Sequence, residues 1–383
     1  MSTKIFTMTH KKFTEPKDTL YQPLHVGRAL SSDLGYLGDD SFDCISKLNP
    51  YYGELTGIYW VWKNFHEADN VGICHYRRFF LNKDKQLLKE TDYENILKEY
   101  DIMVSNTAYT DGSYQDYYSE AHNLKDLLTT GQVLKEKYPD YYPSFTKALA
   151  GHTYYYGNLL VTCKEKFDAY ATWMFDILFE VEKRIDVSAY DLYNQRVFGF
   201  LSEQLLKVWI DKNELHVYEG IVGITAEKAE TVEFKLAISQ LLKMGEITKA
   251  RQFFYEFTKI RPDVRLELSD IKGEIPIIEQ ILYICEEEQN RMMQGMYAYS
   301  KNLNELMAHY KAVRDIMITC GEQDVAEEEI KYILDNHVSW VFIMVILINT
   351  NDNLIKKAIA VKVIKDIFRH AGKKEDALML KLP

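Results

Sequence analysis

The tetrad His75-Tyr76-Arg77-Arg78 is the segment of this sequence best equipped for chemistry. Two adjacent guanidiniums offer forked donors matched to phosphate oxygens and keep their charge near neutral pH. Together they could hold a diphosphate and stabilise it as a leaving group. The short apolar run Val71-Gly72-Ile73-Cys74 suits a buried strand, so the tetrad falls at that strand's carboxyl end, where open α/β sheets bind ligands. Alternation along an extended chain sends His75 and Arg77 to one face, Tyr76 and Arg78 to the other. Just upstream, Glu54, Ile58 and Val61 share one helical face, and Tyr59 and Lys63 share another. Glu54 could take sugar hydroxyls, and the aromatic face could take a nucleobase with Lys63 beside it. Trp60 and Trp62 read as buried packing.

These groups need elements to position them. From Lys4 to about Ile224, candidate strands at 4–8, 71–74, 101–105, 159–163 and 216–222 alternate with helical spacing at 52–65, 91–99, 124–137, 166–184 and 190–211. That alternation predicts an α/β sandwich with a mostly parallel central sheet. From about Ala226 the strand signals stop. Apolar spacing predicts helices at 232–244, 247–260, 276–288, 303–319, 326–334 and 354–370. The run Leu242-Lys243-Met244-Gly245, with Ala250, Phe254, Phe257 and Pro262, has tetratricopeptide flavour, echoed more weakly at 371–378. The chain therefore divides into an α/β domain at 1–224 and an all-α, irregular, tetratricopeptide-like domain at 225–383. The second domain either shields the first or offers a surface for a homodimer or another enzyme.

Bulk properties narrow the field. A formal net charge of −11 in 383 residues argues against non-specific nucleic-acid binding, so an anionic ligand must meet a local basic cluster. Cys44, Cys74, Cys163, Cys285 and Cys320 are odd in number and lack a CxxC pair, which argues against a disulfide framework or a zinc site. The first residues, MSTKIFTMTHKKF, lack a signal-peptide core. Trp340–Ile348 is too short to span a bilayer, which takes about 20 residues. The expectation is a cytoplasmic protein, or one peripheral at the inner membrane face, although no amphipathic anchor stands out.

A series of motifs resembles a bacterial family of capsular and exopolysaccharide glycosyltransferases, formerly described as a domain of unknown function. It runs from Thr9-His10-Lys11 through Pro23-Leu24-His25-Val26-Gly27, Asp39-Asp40, Asn49-Pro50 and Glu54–Trp60 to His75-Tyr76-Arg77-Arg78-Phe79-Phe80. It continues through Tyr117, His122 and Asp126, then Tyr138–Tyr141, Tyr156-Gly157-Asn158 and Arg196–Glu203, covering about residues 4–222. The resemblance implies a GT-A-like single Rossmann-type sandwich and transfer of a hexose from a UDP-sugar. The acceptor would be a saccharide on a lipid carrier or a protein, in capsule, exopolysaccharide or surface-glycoprotein glycan synthesis. Glucose-type, galactose-type and galactofuranose donors all remain open.

GT-A enzymes commonly end a strand in Asp-x-Asp to hold a divalent metal, but His75-Tyr76-Arg77 stands there instead. The arginines could neutralise the departing nucleotide in the metal's place, so a metal-independent enzyme without a cofactor is expected. Asp39 and Asp40 are the fallback metal ligands. His10 could meet the base or ribose, Lys11 a phosphate, and His25 and Gly27 could line the same pocket. His122, Asn158 and Arg196 resemble acceptor-side residues. An inverting transfer needs a base for the acceptor hydroxyl: Glu203 is the first candidate, Asp126 the second. Glu203 could instead pair with Arg196 two helical turns earlier. Two other readings stand beside this one, a non-catalytic nucleotide-sugar-binding subunit and a metal-dependent retaining transferase.

Overall fold

Apolar runs rich in β-branched and aromatic residues form the strands of a computed structural model that describes residues 2–265, 269–322, 325–350 and 354–381. The chain divides into two units, Met1–Ala226 and Glu227–Pro383. In the first, β1 (Thr3–Thr9), β2 (Tyr21–His25) and β3 (Leu37–Gly38) precede α1 (Asn49–Tyr52) and α2 (Leu55–Asn64). The hairpin β4 (Asn70–His75) and β5 (Arg78–Leu81) follows, then α3 (Glu90–Glu99), β6 (Ile102–Ser105) and β7 (Thr107–Tyr109). Next come α4 (Tyr114–Ala121), α5 (Leu124–Lys137), α6 (Tyr142–Ala150), β8 (Thr153–Tyr155) and β9 (Leu160–Cys163). The unit closes with α7 (Lys164–Glu182), α8 (Val197–Lys212) and β10 (Val217–Ile224).

The central sheet has eight strands and is mixed. Pairings β3–β2, β2–β1, β1–β4 and β10–β6 are parallel. Pairings β4–β9, β9–β6, β10–β5 and β5–β4 are antiparallel. This corrects the mostly parallel expectation. The reason is local: β5 follows β4 after a two-residue turn, and β9 inserts antiparallel between β4 and β6, which period-2 patterning alone does not reveal. The sheet reverses its winding at β1, which lies between β2 and β4. Carboxyl ends of these strands therefore bring Thr9, His25 and His75 to one edge, paired in register as Thr9 with His25 and Met8 with His75. That edge is where a ligand crevice is expected.

Packing holds the edge firmly. Phe6, Leu24, Ile58, Val61, Ile73, Phe175 and Leu205 belong to one buried core joining the sheet to α2, α7 and α8. Gly57 on α2 allows this closeness, because a Cβ there would lie 2.4 Å from Met8 Sδ. Burying such large side chains stabilises by roughly 1.5–3 kcal/mol each.

The second unit is helical throughout its described residues: α9 (Ala229–Lys243), α10 (Ile247–Ile260), α11 (Ile275–Asn290), α12 (Met296–Tyr299), α13 (Leu303–Glu322), α14 (Glu327–Asp335), α15 (Trp340–Asn349), α16 (Leu354–His370) and α17 (Lys374–Met379). Gly245, at φ 83°, ends the α9 turn; its N–H donates to the Leu242 carbonyl and the Glu246 N–H to Leu241. Phe234 stacks on Phe257 at 4.5 Å across this helical hairpin. The tetratricopeptide echo goes no further, since helices range from 4 to 20 residues and keep no common period. No single helix among the described residues is long and apolar enough to cross a membrane.

Candidate active site

The basic tetrad is a hairpin, not an extended strand end. Tyr76 and Arg77 form the turn, and His75 pairs directly with Arg78. Residues opposite each other in an antiparallel pair share a face, so His75 and Arg78 stand side by side. This corrects the alternation that put His75 with Arg77. Both arginines are buried, Arg77 to 4% and Arg78 to 9% exposure. The Arg77 carbonyl accepts from the Thr225 N–H at 2.9 Å, pinning the turn to the end of β10. The Arg78 guanidinium lies 4.4 Å from the Tyr156 ring centre, and its Nη2 donates to the Tyr156 hydroxyl at 2.6 Å. Gly157, at φ 82°, makes this approach possible: a Cβ there would sit 2.9 Å from Arg78 Nη1.

The turn 156–158 clamps two carboxylates. Asn158, tolerated at φ 53° because of its short polar side chain, donates from Nδ2 to Glu54 Oε1 at 2.9 Å. The same nitrogen reaches the Gly199 carbonyl at 3.3 Å, and Oδ1 accepts from Ser202 Oγ at 3.1 Å. The Gly157 N–H donates to Glu203 Oε1 at 3.1 Å. Gly199, Ser202 and Glu203 follow one another at helical spacing along α8, which is why one turn can contact all three.

Charge then separates the two acids. Burial, reinforced by the nearby Glu54 charge, pushes the Glu203 carboxyl up to about 8 against Arg78, the Gly157 N–H and Arg196. Burial also opposes ionisation of Glu54, but His75, Arg196 and the Asn158 amide outweigh it and hold Glu54 below the usual carboxylate range. Burial drives His75 down to about 4, against Glu54 and with help from Arg78, Arg77 and Arg196. Two carboxyl groups whose environments pull their pKa values apart form an acid–base arrangement. Two buried atoms, His75 Nε2 and Arg78 Nε, have no hydrogen-bond partner among the described residues; groups of this kind commonly face a ligand. Tyr114, Tyr118 and Tyr154, whose hydroxyls are raised chiefly by burial and further by Glu203, wall the site on that side.

Other residues singled out in the sequence sit elsewhere. His10, exposed after β1, meets Tyr76 edge-to-face at 5.4 Å, so the β1 and β4 ends do adjoin. Lys11 follows it, its N–H held by Thr9 Oγ1 at 3.1 Å. His25 is buried, shares a 2.9 Å hydrogen bond with Ser31 Oγ through Nε2, and is lowered chiefly by burial. Gly27 (φ 70°) is required, since a Cβ there would lie 2.6 Å from the Asn49 side chain. Asp39, fully buried, accepts from the Gly27 N–H (2.9 Å), the Arg28 N–H (3.2 Å), Ser46 Oγ (2.5 Å) and Thr56 Oγ1 (2.6 Å). Its acceptor capacity is filled by these local donors, and they make it an anchor of the loop. Asp40 is exposed, 3.8 Å from Arg28 Nε. Tyr59 donates to Asp43 at 3.0 Å and packs edge-on to Phe175; Lys63 Nζ lies 3.5 Å above the Trp62 ring. That pair packs towards α7 and does not join Glu54, because five and nine positions further along a helix of about 3.6 residues per turn lie on its far side.

Asp126 is buried in the first turn of α5 and accepts from the Tyr190 hydroxyl at 2.9 Å; burial raises it. His122 stacks on Phe200 at 4.0 Å, contacts Asn194 at 3.2 Å and is pushed down to about 4 by burial. Burial raises the Tyr118 hydroxyl, and the charges of Asp126 and Glu203 raise it further. The sequence reading missed Tyr156 and Gly157 as functional groups, although the unusual Tyr-Gly-Asn run signals a left-handed turn. Asp39→Ala should cost about 3 kcal/mol by loss of charge-assisted bonds, and Asp40→Ala less than about 0.5 kcal/mol; urea unfolding midpoints separate the two.

Among the described residues, no three His, Cys, Asp or Glu side chains are placed to hold a metal. The profile of a family described as Domain of unknown function (DUF4422) matches residues 4–214. The apo structure of WbbM, a bifunctional glycosyltransferase, is similar at 29% identity with a TM-score of 0.54. That likeness covers 59% of this chain and 46% of the WbbM chain, so it spans less than half of that protein. No curated protein matches the sequence.

Proposed function

Because this chain belongs to the DUF4422 family and shares its fold with part of a glycosyltransferase, we propose that it transfers a hexose from a UDP-sugar to a saccharide acceptor. The observation that carries this reading is the pairing of an ionised Glu54 with a proton-holding Glu203 around two buried arginines. Arg77 and Arg78 take the donor diphosphate and stabilise the charge that develops as UDP departs. Glu54, held by Asn158, accepts hydrogen bonds from donor sugar hydroxyls. In its ionised form, which grows as pH rises towards about 8, Glu203 takes the acceptor proton while the acceptor oxygen bonds to the anomeric carbon and the carbon–phosphate-oxygen bond breaks, UDP leaving with the electron pair. The anomeric centre inverts. Glucose, galactose and galactofuranose donors fit this scheme alike, and capsule, exopolysaccharide or glycoprotein glycans are its acceptors.

No diphosphate-bound divalent metal enters this reading, with Asp40 beside Arg28 at 3.8 Å. Such ions need oxygen ligands, whereas the hairpin offers guanidiniums and the Asp39 oxygens are spent. Turnover in excess EDTA should therefore equal turnover with magnesium or manganese, within about twofold; abolition by EDTA and rescue by either ion would refute metal independence. The transferase reading itself is tested with purified protein and a panel of UDP-sugars. Slow UDP release that accelerates with a saccharide acceptor is the expected result. Tight UDP binding without turnover on any donor or acceptor would instead favour a binding subunit.

A further inference from the structure

The C-terminal stretch of the helical unit departs from the rest of the chain in charge and in what it exposes. Residues 354–381 carry seven lysines and one arginine against two aspartates and one glutamate, within a protein of net charge −11. α16 buries Ala360, Val361, Ile364 and Phe368 on one face. Around a helix of about 3.6 residues per turn, the opposite arc carries Ile355, Ile359, Lys362, Asp366 and Arg369, with Leu354 and Lys365 at its margin. The three apolar members are exposed, at 69%, 73% and 45%. Lys362 and Lys365 make no ion pair among the described residues, whereas Arg369 is held by Asp366 at 3.0 Å. The packed neighbour α17 adds exposed Leu378 and Met379 close in sequence to Lys373 and Lys374.

An exposed apolar turn flanked by unpaired lysines is a poor solvent face for a soluble helix, which ordinarily presents polar residues there. It matches the requirements of a helix lying in a membrane interface: apolar side chains for the acyl boundary and cations for anionic headgroups. We propose that this face of α16 docks the protein on an anionic lipid surface, as a peripheral and salt-sensitive attachment. Charge complementarity selects this occupant. A second copy would bring the same positive face against itself, and the acidic remainder of the chain opposes a polyanion as long as nucleic acid.

Sedimentation of the full chain with vesicles tests it. Binding is expected to vesicles of phosphatidylcholine with about one-third phosphatidylglycerol, to be absent with phosphatidylcholine alone, and to fall at least roughly tenfold in half-molar salt. The double substitutions Ile355→Ser with Ile359→Ser, and Lys362→Glu with Lys365→Glu, should each lower the partition coefficient roughly tenfold or more. Ile355, Ile359 and Lys362 are exposed and Lys365 is half-buried without an ion pair among the described residues, so circular dichroism and melting temperature should stay close to the parent's. No sedimentation with anionic vesicles, or sedimentation indifferent to both double variants, would overturn the proposal. So would a stable dimer or a nucleic-acid complex that only the parent chain forms in the absence of lipid.

Discussion

Glu203→Gln should reduce kcat by about 10²–10⁴-fold, the range for removing a positioned general base, while leaving the donor KM nearly unchanged. The amide keeps the shape of the side chain and can still accept from the Gly157 N–H, so the clamp around Asn158 survives. In the parent protein the rate should climb with pH towards a plateau above about 8, where Glu203 has lost its proton. The variant should lose that limb. Stability supplies an independent readout with a defined sign. The folded value of about 8 lies above the ordinary 4.5, so the unfolded chain gives up this proton first as pH rises. The stability that the protonated group contributes below about 4.5 is therefore lost progressively up to about 8. Glutamine cannot ionise. The melting temperature of Glu203→Gln relative to the parent should rise between pH 5 and pH 8 and then level off; a difference that stays flat across that range would place Glu203 outside this buried cluster.

Arg78→Lys should cost about 10²–10³-fold in donor turnover, the usual price of one preorganised donor at a developing anion. Lysine retains the charge but loses the forked donors and the planar contact with Tyr156. Arg77→Lys should act similarly, although its backbone tie to Thr225 is kept. Either loss should appear mainly in kcat, because the diphosphate gains charge as it leaves. The folding control is the melting temperature: Lys can reach the Tyr156 hydroxyl, so the variant should remain folded. An Arg78→Lys protein that melts normally and turns over donor at the parent rate would remove the diphosphate role from this hairpin.

Much of this arrangement is legible in the residues alone. The strands at Lys4–Met8 and Val71–Cys74, and the helix at 124–137, announce themselves because their apolar periods are long and unambiguous. Arg77, Arg78, Glu54, Asn158, Arg196 and Glu203 were each visible as chemistry, and the structure gathers them at one place. What escaped was pairing. Antiparallel insertion of β9 and the tight Tyr76-Arg77 reversal depend on contacts far apart in sequence or on a turn too short to leave a pattern. The spacing separates Tyr59 and Lys63 from Glu54, but an amphipathic stripe does not say which face packs on α7. Asp39 looked like a ligand because adjacent acids attract that reading, yet four local donors absorb it. The exposed turn of α16 was hidden too, since Leu354, Ile355 and Ile359 look like core residues until the opposite face is seen to be filled.

The central claim is that the hairpin and the two acids form one donor site. A crystal structure with UDP bound tests it most directly. The account predicts the diphosphate within hydrogen-bond distance of the Arg77 and Arg78 guanidiniums, with Glu54 and Glu203 flanking the side from which the sugar would extend. UDP bound with its phosphates away from both arginines, or ligated through a divalent ion on other carboxylates, would contradict it.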